Sequence, residues 1–233
     1  TGGGSGIGLG IARAMADEGC RVALTGRNQQ RLDEAAATFD AGSGIATRPC
    51  DVADRADVGR LADWFEQQWG TPDVLVNSAG INVARRSIAD LDPAEFDRIM
   101  AVNNTGTFNC IHAVLPGMRS RGSGLIVNIS SIAGKRAMKL GGVGYCASKF
   151  AVSALCTTIG LEERDNGIHV TNVYPGEVDT PILQHRPEPV PPEKLARMLQ
   201  PEDVAACVVT IAKLPARALV PELVITPLYQ EYS

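Results

Sequence analysis

The sequence predicts a single α/β domain built on a doubly wound parallel sheet. Short, continuously apolar segments alternate with amphipathic helix patterns along almost the whole chain, as strands covered on both faces require. A length of 233 residues favours one core over two. A glycine-rich turn, Thr1 to Gly8, leads straight into the first helix pattern.

The elements follow in order. A helix is expected from about Ile7 to Glu18, with Ile7, Ile11 and Met15 on one face. Arg21–Thr25 reads as a strand, Asn28–Thr38 as a polar helix, Ile45–Pro49 as a strand and Asp54–Trp69 as a helix with Val58, Leu61 and Phe65 inward. Val74–Asn77 is a buried strand. Asp92-Pro93 then opens one long helical region, with Asp at N-cap and Pro at N1. Leu125–Ser130 is a strand, Tyr145–Asp165 a helix stopped by Asn166-Gly167, and His169–Tyr174 a strand. Pro201–Leu214 is a helix and Leu223–Thr226 the last strand. Glu177–Gln200, with five prolines, is an irregular loop between sheet elements and reads as a substrate lid. Glycine-rich turns of this kind follow a buried strand. The first strand of the sheet is therefore expected to be missing ahead of Thr1, and a targeting segment there stays open.

Composition narrows the function. Apolar residues make up 45% and charged residues 21%, with a net charge of −4, which gives a phosphate backbone no general attraction. No apolar run approaches the roughly 18 residues that span a bilayer, so neither nucleic acid nor membrane is expected as a partner. Six scattered cysteines without C-x-x-C suggest reduced thiols and a cytoplasmic setting. Three histidines lack ligand spacing, so no metal is expected.

The glycine turn lets the backbone approach a pyrophosphate resting on a helix N-terminus, though it could equally be a loop capping a helix. Its register is T-G-x-x-x-G-x-G rather than G-x-G-x-x-G. At the end of the second sheet strand, Gly26 stands where a carboxylate would bind a ribose 2′-hydroxyl, followed by Arg27 and Asn28. Arg27 beside a glycine suits a 2′-phosphate, which favours NADP(H), with NAD(H) possible. Tyr145 and Lys149 are one helical turn apart, where an ammonium would favour the phenolate and ready the tyrosine as an acid/base.

These motifs, taken together, resemble the short-form branch of the short-chain dehydrogenase/reductase family, over Thr1 to about Pro181 and in the same order. The resemblance implies a Rossmann-like fold and hydride transfer between a nicotinamide and a carbonyl or secondary alcohol. It implies cofactor contacts at Gly2, Ser5, Gly6, Ile7 and Gly8, at Asp51-Val52 for the adenine, and at Asn77, Ala79 and Gly80 in Asn77-Ser78-Ala79-Gly80, where Ser78 replaces a second Asn. Pro175, Gly176, Val178 and Thr180 would seat the nicotinamide. Tyr145, Lys149, Ser131 and Asn103 would form the catalytic set, Asn103 kinking a helix and holding a relay water, with Ser130 and Asn104 as alternatives. Lys149 would also hold the nicotinamide ribose. A homodimer or homotetramer is implied, the dimer through the Tyr145 helix. Beyond Pro181 the match is looser.

Two other classes remain: a non-catalytic nucleotide-sensing scaffold, which needs no such tetrad, and a non-redox epimerase or dehydratase, whose G-x-x-G-x-x-G loop and larger C-terminal domain are missing here. Substrate walls are expected from residues 81–87, 132–144 and the lid. The cations Arg85, Arg86, Lys135, Arg136, Lys139, His185 and Arg186 in those segments suit an anionic substrate such as a hydroxy acid, or are solvated loop charges.

Overall fold

Ile126 and Val127 point to opposite faces of one strand, and both are fully buried. That is why the segment shows no polar alternation. The computed structural model describes residues 1–231 and contains α1 (Gly6–Asp17), β1 (Val22–Gly26), α2 (Gln29–Ala36), β2 (Ile45–Pro49), α3 (Arg55–Trp69) and β3 (Val74–Asn77). There follow α4 (Pro93–Met100), α5 (Gly106–Arg121), β4 (Gly124–Ile129), α6 (Val143–Glu162), β5 (Ile168–Pro175), α7 (Pro192–Leu195), α8 (Pro201–Ala212) and β6 (Glu222–Ile225). All strand pairs are parallel, as the sequence predicts.

Two hydrophobic layers clamp the sheet of β3–β6. Val127, Ile129 and Val173 face Ile11 of α1 and Val204 and Val208 of α8. Ile126, Ile168 and Val170 face Ile111 and Met118 of α5 and Val152 and Cys156 of α6. Each such aliphatic chain contributes roughly 1.5–3 kcal/mol on full burial, so helices on both faces hold the sheet.

The strands form a pair, β1–β2, and a separate set ordered β3-β4-β5-β6. The glycine turn joins the two sheets at their carboxyl ends. The Thr1 nitrogen donates to the Val76 carbonyl at 2.7 Å, and the Gly3 amide donates to the Thr25 carbonyl at 3.0 Å.

Two expectations are corrected. The region after Pro93 is not one regular helix: a π-helical turn, Ala101–Thr105, separates α4 from α5. The Asn103 side chain holds this turn open, as the next section describes. Residues 177–200 are not irregular throughout. They contain a 3₁₀ turn, Pro181–His185, and α7, and a parallel bridge between Val178 and Leu199 ties the base together.

Candidate active site

The carboxyl ends of β1, β3, β4 and β5 open onto one cavity of about 880 Å³. Its walls include Gly2, Ser5, Gly6, Ile7, Arg27, Gly80, Ser131, Tyr145, Lys149, Pro175, Gly176, Val178 and Thr180, so the structure gathers these predicted residues around a single space. Gly8, Asn28, Asp51, Val52, Asn77, Ala79 and Asn103 do not line it.

The glycine turn is shaped by contact. Gly2 has φ +65° and lies against Ser78 and Ala79, leaving no room for a side chain. The Thr1 hydroxyl accepts from the Ser78 and Ala79 amides at 3.1 Å, which joins this turn to the one after β3. Ser5 stands at the N-cap of α1 without a side-chain capping bond, whereas Asn28, Asp54 and Asp92 cap α2, α3 and α4 with their side chains. The amides opening α1 thus lack a side-chain acceptor beside Ser5, Gly6 and Ile7, where an anion would meet them and the helix dipole.

At the far end of the turn the exposed Arg27 is joined by Arg31, one turn into α2, on the same wall. Sequence reasoning missed Arg31. Its signal is the spacing of four from Arg27 across a capped helix start. Asn28 is engaged as the α2 cap, accepting from the Arg31 amide at 3.1 Å. Asp51 accepts from the Ala53 amide, and Val52 is buried against Gly106. Asn77 donates to the Asn128 side chain at 2.9 Å in the buried sheet interior.

At the chemical end, Tyr145 sits in the first turn of α6, which starts two residues earlier than predicted. Ser131 and Tyr145 line the same cavity, and the Ser131 hydroxyl acts on the Tyr145 hydroxyl. Ser130 turns away: it is buried and donates to the Lys149 carbonyl at 3.4 Å. Of the two serines, Ser131 is the one that meets the tyrosine.

Lys149 lies 5.6 Å from the Tyr145 ring centre and donates to the Ile129 carbonyl at 2.8 Å. The expected electrostatics need correction here. Burial raises the Tyr145 hydroxyl above the ordinary tyrosine value of 10.0, while the Ser131 hydroxyl and the Arg86 charge pull it back. Burial lowers the Lys149 ammonium to about 8. Removal from water therefore outweighs a stabilised phenolate.

Asn103 widens the helix instead of merely bending it. Its amide donates to the Ile81 carbonyl at 3.0 Å and to the Ser148 hydroxyl at 2.9 Å, and its oxygen accepts from the Ile81 amide at 2.8 Å. Asn103 thereby braces residues 80–82 against α6. The neighbouring Asn104 makes none of these bonds; its side-chain oxygen is buried without a partner.

The segment after β5 closes the cavity. Thr180 packs against Gly6, so the segment after β5 touches the glycine turn. Glu177, unforeseen from the sequence, accepts from Arg186 at 2.8 Å, from Lys194 at 2.9 Å and from the Tyr229 hydroxyl at 2.7 Å. Burial alone would raise its carboxyl. Those partners hold it below the usual carboxylate range. Of the predicted wall cations, Arg86, His185 and Arg186 reach the cavity; Arg85, Lys135, Arg136 and Lys139 do not line it.

The short chain dehydrogenase family model matches residues 1–190. The chain belongs to that family. An uncharacterized oxidoreductase of Staphylococcus saprophyticus is 34% identical over 229 residues, covering 97% of this short-chain dehydrogenase and 95% of its own length. Among solved structures, an alcohol dehydrogenase from the archaeon Thermococcus sibiricus complexed with 5-hydroxy-NADP superposes with a TM-score of 0.89 at 29% identity, over 100% of this chain and 96% of its own. A closed serine dehydrogenase complexed with NADP+ gives a TM-score of 0.89 at 29% identity, over 100% and 95%. This short-chain dehydrogenase is thus a nicotinamide-dependent oxidoreductase with a Rossmann-like fold. Among its described residues no helix is long and apolar enough to cross a membrane.

Proposed function

We propose that the chain transfers a hydride between NADP(H), in preference to NAD(H), and a carbonyl or secondary alcohol, with Tyr145 as acid/base. The observation that carries this reading is the single cavity walled at one end by Tyr145, Ser131 and Lys149 and at the other by Arg27 and Arg31. The residues fit a dinucleotide. The bare glycine turn and the N-terminus of α1, open of side-chain caps, suit a pyrophosphate, and two guanidiniums suit a 2′-phosphate.

A bound nicotinamide supplies the hydride in reduction and takes it in oxidation. The Ser131 hydroxyl holds the substrate oxygen by donating to it. In reduction Tyr145 gives that oxygen a proton, and in oxidation it takes the proton away. Lys149 would hold the nicotinamide ribose, with its own orientation kept by the Ile129 carbonyl, while Asn103 positions Gly80 to Asn82 beside it. Pro175, Gly176, Val178 and Thr180 would seat the nicotinamide, and residues 177–200 serve as the lid, held by Glu177. Exposed Phe150 and Leu161 on α6 support a homodimer formed through that helix. The six free cysteines accord with a cytoplasmic setting.

The test is NADPH consumption with a panel of aldehydes, ketones and oxo acids, repeated with Tyr145→Phe. The variant should bind NADPH normally and turn over at under about 1% of the parent rate. A variant retaining most of the rate would remove Tyr145 from the mechanism. The scaffold reading gains if no carbonyl is reduced at all.

A further inference from the structure

Arg86 is a buried cation without a counter-ion. It is 8% exposed and lines the same cavity wall as Tyr145 and Ser131. Its Nε donates to the Val83 carbonyl at 2.7 Å, Nη1 to the Leu140 carbonyl at 3.0 Å, and Nη2 to the His185 carbonyl. All three acceptors are neutral. Among the described residues no carboxylate pairs with it, in contrast to Arg186, which has Glu177. Burial, and after it the like charge of Arg186, disfavours the charge that Arg86 carries.

A guanidinium has five N–H protons. Three are used, leaving one on each terminal nitrogen for an incoming carboxylate to accept. Burying a charge with neutral partners alone is costly, and the cost is relieved when an anion arrives. Apolar Met138, Leu140, Ile182 and Leu183 share this wall, which suits a short aliphatic body between the charge and the reacting carbon.

We infer that Arg86 receives a carboxylate of the substrate, so that the substrates are a short oxo acid and its hydroxy acid. This rests on the hydride-transfer reading above. In the reductive direction, hydride forms the new C–H bond, the carbonyl π pair moves to oxygen, and the Tyr145 proton completes the hydroxyl. The carboxylate on Arg86 stays ionised throughout. The three carbonyl bonds of Arg86 also tie together loops that are distant in sequence, so a merely bracing role must be separated from recognition.

The experiment compares kcat/KM for short oxo acids, their neutral methyl esters and phosphate-bearing carbonyls, in the parent chain, Arg86→Lys and Arg86→Met. The parent should prefer the acid over its ester by about 100-fold, and Arg86→Met should erase that ratio chiefly through KM. Arg86→Lys should recover part of it. Equal losses on acid and ester would make Arg86 a brace only. A parent preference for the ester or the phosphate would overturn the carboxylate. Thermal melting with malonate, which cannot react, keeps the two readings apart. Malonate should raise the melting point of the parent but not of Arg86→Met, even if no carbonyl is turned over; failure to protect the parent overturns the inference.

Discussion

Gly8 lies so close to the Gly2 carbonyl that a β-carbon at position 8 would stand 2.4 Å from that oxygen. Both partners are backbone at this contact, so neither can rotate out of the way. Gly8→Ala should force the turn open, weaken NADPH binding by more than about tenfold, and lower stability by roughly 1–3 kcal/mol. Fluorescence titration together with a thermal melt checks this. Unaltered affinity would mean that the turn does not shape the phosphate site.

Arg27 and Arg31 share one end of the cavity. Charge-assisted bonds to a phosphate contribute about 1.5–3 kcal/mol, so Arg27→Asp should weaken NADPH roughly tenfold to a hundredfold and leave NADH nearly as before. Arg31→Ala should weaken NADPH by a smaller factor. Parallel titrations with both dinucleotides decide the matter. If NADPH affinity survives Arg27→Asp, the 2′-phosphate lies elsewhere.

Ser130 and Ser131 are adjacent yet face different partners. Ser131→Ala should lower kcat about 100-fold with little change in melting temperature. Ser130→Ala removes a buried bond to the Lys149 carbonyl and should cost about 1 kcal/mol of stability, with kcat changed only a few-fold. The reverse pattern would exchange their roles.

Buried thiols make the fold sensitive to alkali. Burial raises Cys50 and Cys156 to about 12 and Cys110 to about 11, from an ordinary 9.0. Above pH 9.0 the unfolded chain releases these protons while the native chain keeps them, so each thiol removes up to about 1.4 kcal/mol of stability per pH unit. Lys149 acts oppositely. Between pH 8 and 10.5 its native amine has lost a proton that the unfolded chain still binds, so rising pH favours the fold there. Three thiols outweigh one amine, and the urea midpoint should fall above about pH 9. Cys156→Ala should make the decline shallower. A midpoint that climbs through this range would contradict the burial of these thiols.

Much of this was legible in the sequence, for local reasons. Val74–Asn77 matches its expected bounds because it is a short apolar run after the turn formers Gly70 to Asp73, and Ile45–Pro49 matches because Gly42 to Gly44 and the Asp54 helix cap bracket it. The Tyr145–Lys149 spacing needs only a helix to bring the two together. What was not legible depends on distant backbone. The π-turn at Ala101–Thr105 follows from Asn103 bonding to Ile81, 22 residues away. The place of Arg86 is set by carbonyls 54 and 99 residues distant. Glu177 looked like one of several loop charges until residues 186, 194 and 229 converged on it. The raised Tyr145 value came from burial, which no i, i+4 pattern reports.

Arg27 follows β1 in the two-stranded sheet, whereas Ser131 and Pro175 are carried by the four-stranded one, with Tyr145 on a helix packed against it. The glycine turn is common to both, since Thr1 bonds to Val76 and Gly3 to Thr25. A disturbance of that turn is therefore transmitted to both halves of the cleft at once, so a substitution such as Gly8→Ala should couple the grip on a phosphate to the handling of a proton.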